Sequence, residues 1–383
     1  MQEFLQQLIN GLSVGSIYAL IAVGYTMVYG VLQLINFAHG DVFMVGAMVA
    51  LYAATGRVPP SMPWWLHGLI VGGLGAWFLI AWLVAGRSPQ RCLRTILPLA
   101  AMYLLSVPLL WGVYRLWRPS SLPAWMQSSF TMLTPAFLRP WVPPLFVLLV
   151  SLAACGALGF IIERLAYRPL RNRPRINSLI TAIGISLLLE YGGQNPLVFG
   201  ATPQAFPAEM VPGIHESLFK VYGITVSRVD AMVLATTLLL MLVLSWIVLK
   251  TRTGLALRAV SFRFDTASLM GVDVDRVIGF TFVLGSTLAA AAGFLYAEKY
   301  PEVQPLMGLF PGIKAFVAAV FGGIGNIAGA VVGALVLGMV EVLVVGYLPN
   351  GSQYKEAVAF VILIAILLVK PSGLFGKHVI EKV

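Results

Sequence analysis

Long apolar runs, cut by short polar stretches, recur along the whole chain. Continuous apolar segments fall near 8–32, 41–55, 64–86, 96–114, 143–163, 177–191, 229–249, 277–297, 313–323, 327–347 and 355–370. A membrane-spanning helix needs about 20 mostly apolar residues, so most of these lengths predict crossings. The segment 41–55 is short, and 313–323 crosses only if it is extended, tilted or re-entrant. The pattern therefore predicts nine to eleven spans. Because the runs are continuous rather than alternating, they predict helices and not a barrel. The expected fold class is an all-α polytopic membrane bundle, with 1–383 as a single membrane domain.

Composition agrees with the pattern. Hydrophobic residues make up 59% of the 383 and charged residues 10%, against roughly 45–50% and 25% in soluble domains. Mean hydropathy is +0.89. The net charge of +10 could suggest a nucleic-acid partner, but the cations are confined to short loops, as the positive-inside bias predicts. Of the 25 Lys and Arg residues, three lie in 87–95, five in 164–175 and five in 250–276; three more are Lys370, Lys377 and Lys382. If all eleven segments cross, these regions share the cytoplasmic side; the N-terminus is then outside and the C-terminus inside. Arg115, Arg118 and Arg139 fall on the wrong side in this scheme. The first apolar run has Glu3 and no basic region before it, which predicts a retained span rather than a cleaved signal. The outer face carries one sizeable loop, 192–228, too short for a substantial domain.

The residues that carry chemistry argue against an enzyme. Gly376-Lys377 is the one Gly-Lys pair, and it is followed by His378 with Pro371 in place of the first P-loop glycine. Hence no nucleotide site, and no other cofactor, is expected. His39, His67, His215 and His378 are scattered, and Cys92 and Cys155 lack ligand spacing, so neither a metal site nor a disulfide framework is expected. Gly325, Gly329 and Gly333 recur every fourth residue, as do Gly11 and Gly15, a pattern that predicts close helix packing. Polar residues at membrane depth are costly and mark candidate function. Asn36-Phe37-Ala38-His39-Gly40-Asp41 is either a solvated turn that caps the next helix or a polar break lining a transport path. Glu190 and Asp230 are expected at the interfaces, and Lys314 lies at the edge of an apolar segment. Glu341, the deepest carboxylate, is either paired with a cation or open to an aqueous cavity. In 250–276 the stretch 255–270 lacks Pro and Gly, which predicts one short helix ended by Gly271. With Phe262, Phe264, Leu269 and Met270 on it, this helix is either a docking surface or an interfacial amphipathic helix.

Asp265-Thr266-Ala267, followed by Gly271, resembles the E-A-A-x-x-x-G element of bacterial ABC importer permeases, with Asp for Glu and Thr for the first Ala. It is accompanied by G-S-I-Y-A-L-I-A-V-G-Y-T-M-V-Y-G at 15–30, I-N-F-A-H-G-D at 35–41 and I-E-R-L-A-Y-R-P at 162–169. Further on come A-S-L-M-G-V-D-V-D-R at 267–276, K-A-F-V-A-A-V-F-G-G-I-G at 314–325 and a closing E-K-V. In this order, over about 1–55 and 143–383, the set resembles the H-type permease subunits of branched-chain amino acid ABC importers. The resemblance implies a bacterial inner-membrane subunit that is not itself catalytic. Its implied partners are a second related permease, two cytoplasmic ATP-binding subunits and a periplasmic substrate-binding protein for leucine, isoleucine or valine. It implies that Asp265, Ala267 and Gly271 lie in a coupling helix seated on one ATPase. Asn36, His39, Gly40, Lys314 and Glu341 are the candidate residues of the translocation path.

Members of the resembled family usually have a short connector where this chain has 56–142, with its two extra apolar segments. Two added crossings preserve the orientation downstream. The inserted pair is either a lipid-facing hairpin or a contact with another subunit. Urea, short amides or other apolar amino acids are alternative substrates within the family. Outside it, an ion-coupled secondary transporter would use a midplane carboxylate, for which Glu341 is the candidate.

Overall fold

The computed structural model describes residues 2–55 and 142–376, apart from 172, 197, 208–212, 222 and 371. The apolar segments expected at 64–86 and 96–114, the rest of 56–141, Lys377 and Lys382 lie outside these residues.

Among the described residues, seven helices are long and apolar enough to cross a membrane. They are α1 (Gln2–Leu32), α3 (Val142–Ile162), α4 (Arg175–Gly193), α5 (Arg228–Lys250), α8 (Val274–Lys299), α10 (Ile327–Tyr347) and α11 (Gly351–Val369). Two shorter apolar helices, α2 (His39–Thr55) and α9 (Leu309–Gly322), occupy the segments whose lengths were short for a span. The polar loop after α5 holds α6 (Arg252–Phe262) and α7 (Phe264–Leu269).

The bundle is built around α1, whose apolar window is 94% buried, against 6% for the outlying α11. Between helices in lipid there is no water to expel, so association depends on close contact between small residues. Gly11, Ser13, Gly15, Ser16, Ala19, Ala22 and Gly24 give α1 a slender surface that α5, α8, α9 and α10 approach. A Cβ on Gly15 would lie 2.8 Å from the Leu335 Cα of α10 and 2.9 Å from the Ala334 carbonyl oxygen. The spacing of Gly11 and Gly15 is thus a packing surface. Gly329 and Gly333 likewise press on Gly322 and Ala318 of α9. Gly325 departs from the expectation: it sits in the turn between α9 and α10 with φ +93°, and no neighbour lies within 4 Å of an added Cβ. Its role is to let the chain reverse, not to pack helices.

The loop 192–228 and the segment before α9 fold into small elements that the apolar pattern did not reveal. β2 (Ser217–Val221) and β3 (Ile224–Ser227) form an antiparallel hairpin, and β1 (Gln204–Ala205) pairs with β4 (Glu302–Val303). The hairpin is tied to the start of α1, where the Gln6 amide donates to the Thr225 carbonyl (3.0 Å) and the Thr225 amide donates to the Gln6 side chain (2.8 Å). Just below it, Lys299 donates to Asp230 (2.5 Å) and to Ser13 (2.7 Å), joining α8, α5 and α1. At the opposite end, α3 widens into a π-helical turn, Glu163–Tyr167, and then tightens into a 3₁₀ turn, Arg168–Leu170. There Arg171 bridges Glu163 and Asp275, and Arg168 also pairs with Asp275.

Candidate functional site

The two short helices begin deep inside the bundle. α9, with 14 residues, is about 21 Å long, well short of the roughly 30 Å hydrocarbon core. Gly40, in the first turn of α2, meets Gly308 and Gly312 at the start of α9; a Cβ there would lie 2.8 Å from the Gly308 oxygen and 3.0 Å from the Gly312 Cα. Beside it, the His39 imidazole fills the space left by Gly24 of α1 and packs edge-on against Tyr25, with ring centroids 4.7 Å apart. Gly24 lies eight residues before the C-terminal end of α1, or about 12 Å along the helix axis. Both helix starts therefore lie at membrane depth, and the backbone leading into each is irregular there.

The polar residues of the segment Asn36–Asp41 are buried rather than set in a solvated turn: Asn36 is 4% exposed, His39 1% and Asp41 2%, while Phe37 is exposed. Its polar groups are matched from neighbouring helices. Tyr167 donates to Asn36 Oδ1 (2.9 Å) and Ser186 of α4 donates to Asp41 (2.5 Å). α2 itself starts on main-chain bonds, the Asp41 and Val42 amides donating to the Ala38 carbonyl. Glu190, one turn beyond Ser186 on the same face of α4, is buried too, and its Oε1 has no protein partner.

Lys314 and Glu341 come together. The Lys314 ammonium donates to Glu341 Oε1 (2.7 Å) and lies 3.0 Å from Glu356 of α11. The Tyr18 hydroxyl donates to the other Glu341 oxygen (3.0 Å), so α1, α9, α10 and α11 meet at one charge cluster. Of the two readings of Glu341, the cation-paired one holds. Nothing in the sequence spacing names Lys314 as the cation, because the two residues lie 27 apart on helices that fold back on each other.

The loop after α5 differs from a single helix. Arg263 adopts an extended conformation (φ −154°, ψ 119°) and divides the stretch into α6 and α7. Each piece is pinned. The Gly254 amide donates to Thr251 Oγ1 (3.1 Å) at the start of α6, and Leu257, Val260 and Ala267 are buried. Gly271, at φ +82°, ends α7: its amide donates to the Ser268 carbonyl (3.0 Å), and the Val272 amide donates to the Ala267 carbonyl (3.1 Å). This is the Schellman pattern, which favours glycine at the left-handed position. Of the residues matched to the coupling element, Ala267 faces inward as the anchor, and Asp265 and Gly271 are exposed. Phe262 and Leu269 are each 86% exposed and Met270 81%. The loop is a platform anchored by buried residues, with large apolar side chains outward.

Among the described residues, no group of three or more His, Cys, Asp or Glu side chains converges to hold a metal. Cys155 is buried, with its thiol 3.6 Å from the Val42 carbonyl.

Comparison with known proteins adds an independent line. A family model described as the branched-chain amino acid transport system / permease component matches residues 7–367. The high-affinity branched-chain amino acid transport system permease protein LivH of Escherichia coli (strain K12) is 35% identical over 384 residues, which cover 99% of this chain and 98% of that protein. The corresponding protein BraD of Pseudomonas aeruginosa is 36% identical over 387 residues, covering 100% and 98%. The probable branched-chain amino acid transport permease protein LivH of Methanocaldococcus jannaschii is 30% identical over 247 residues, covering 61% and 73%. No solved structure matches the chain.

Proposed function

The chain belongs to the branched-chain amino acid transport permease family, and from that premise we propose that it is the permease subunit of an ATP-driven importer for leucine, isoleucine and valine. It shares the path with a second, related permease. Two cytoplasmic ATPases hydrolyse the ATP, and an extracytoplasmic binding protein delivers the substrate. The chain sits in the bacterial inner membrane with its C-terminus inside. The loop at 250–276 is its coupling element, and 56–142 is an inserted pair of segments within a single membrane domain.

The observation that carries this reading is the pinned loop Arg252–Gly271, with Phe262, Leu269 and Met270 outward. A connector between spans has no reason to expose three large apolar side chains on an anchored frame. A groove on a soluble partner supplies one. Asp265, Ala267 and Gly271 play different parts in the contact. Ala267 roots the platform, Gly271 sets its turn and Asp265 presents a charge. Asn36, His39, Gly40, Lys314 and Glu341 frame the path from behind, holding α2 and α9 at the depth where they begin. An ion-coupled carrier has less support, because the Glu341 carboxylate is paired with Lys314.

The test is the composition of the complex. The tagged chain, expressed with the genes of its neighbours and extracted in mild detergent, is expected to bring down a second permease and ATPase subunits. Recovery of the chain alone, still moving leucine in liposomes without ATP, contradicts the importer.

A further inference from the structure

Resting on the importer reading, we propose that the apolar strip formed by exposed Phe37, Leu306, Leu309 and Phe310 with half-buried Phe316 makes the wall of the translocation path and contacts the aliphatic side chain of the passing amino acid. On α9 one face alone is open. Leu309, Ile313 and Phe316 recur at helical spacing with Phe310 at the edge, and the remaining residues from Pro311 to Val320 are buried. Phe37, in the irregular segment before α2, continues the strip, its ring 6.3 Å from that of Phe316. Leu306 continues it from the irregular segment before α9.

Depth identifies what this face meets. Both irregular segments lead to the contact between Gly40 and Gly308, at the level of Gly24 and Tyr25 inside the bundle. At that depth, open backbone is tolerated where protein buries it or where it lines water, and not against lipid. Phe37 and Leu306 are exposed on those two segments, so the face they share opens on an aqueous path. Paired short helices whose starts meet near the midplane are also where membrane carriers place their substrates. The strip contains no charged side chain. It suits a branched aliphatic group, leaving the ammonium and carboxylate of the amino acid to water. The lipid-facing surfaces differ: Leu238, Leu242 and Trp246 are exposed on α5 with unbroken helix behind them.

The test uses the complete importer in liposomes, with Cys92→Ala and Cys155→Ala as background and Leu309→Cys, Phe310→Cys or Leu242→Cys added singly. The probe is a charged, membrane-impermeant thiol reagent. Cysteines at 309 and 310 are expected to react as water-exposed thiols and to be slowed while leucine is transported, whereas 242 stays silent. Phe310→Ala is expected to lower leucine uptake relative to alanine by about tenfold, the lower end of what lost methylene contacts cost in an apolar site. Positions 309 and 310 as silent as 242, or reactive without any effect of leucine, overturn the proposal. If the unsubstituted assembly moves no leucine at all, the importer reading fails first and this proposal falls with it.

Discussion

Replacement of Lys314 by methionine is expected to destabilise the folded subunit by about 3–5 kcal/mol, the usual cost of removing one partner from a buried ion pair. The Lys314 side chain is 5% exposed and that of Glu341 12%, so water cannot take over when the ammonium is lost. Glu341 would keep the Tyr18 hydroxyl (3.0 Å) as its donor, which is not enough to hold a carboxylate charge among apolar helices. Glu356, 28% exposed, can turn towards solvent and suffers less. The effect spreads beyond one pair, because Lys314 ties α9 to both α10 and α11. The double variant Lys314→Met with Glu341→Gln is expected to recover most of the loss, since neutral residues of similar size often replace a buried pair at little cost. The check is the unfolding midpoint of the purified subunit in detergent for the parent, the single and the double variant. An unchanged midpoint for Lys314→Met would mean that the cluster does not support the bundle.

Leu269→Glu is expected to leave the subunit folded and to strip the ATPases from it. The Leu269 side chain is 86% exposed within the chain, and substitutions at such positions are ordinarily within about 0.5 kcal/mol of neutral. In a partner's groove the same leucine would contribute about 1.5–3 kcal/mol of burial, roughly 10- to 100-fold in affinity. A carboxylate in its place adds a desolvation cost to that loss. Gly271→Asp reaches the same surface differently. It puts a side chain at φ +82°, where a non-glycine residue costs roughly 1–2 kcal/mol, and it loosens the turn that fixes Leu269 and Met270. Co-purification with the ATPases, read beside the melting midpoint of the chain, separates a lost contact from a lost fold. Full ATPase recovery with Leu269→Glu would remove this loop from the coupling role.

Much of the architecture was legible in the order of apolar runs, because a spanning helix is fixed by length and hydropathy before any packing is known. The nine segments within the described residues reappear as helices, and the two short ones, 41–55 and 313–323, correspond to the helices that begin at membrane depth. Their shortness was the visible trace of the break. The partner of Glu341 was not legible, since Lys314 reaches it only after α9 and α10 fold back on each other at Gly322, Gly329 and Gly333. Gly325 kept the four-residue spacing of a packing strip, yet it lies in the turn; spacing alone does not reveal where a helix starts. The split of 255–270 at Arg263 also escaped, because neither Pro nor Gly marks it. Leu257, Val260 and Ala267 lie at spacings that one straight helix would also bury on a single face, so the buried positions did not reveal the break either. The π turn at Glu163–Tyr167 left no signal except the Arg and Glu residues that it gathers.

The central claim is transport driven by ATP through this chain and its partners. The most direct measurement is leucine uptake into liposomes holding the purified assembly, with the binding protein outside and ATP sealed inside. Uptake that requires both ATP and the binding protein, and that Leu269→Glu abolishes, is the predicted result. Uptake by this chain alone, indifferent to ATP and responsive to an ion gradient, would contradict it.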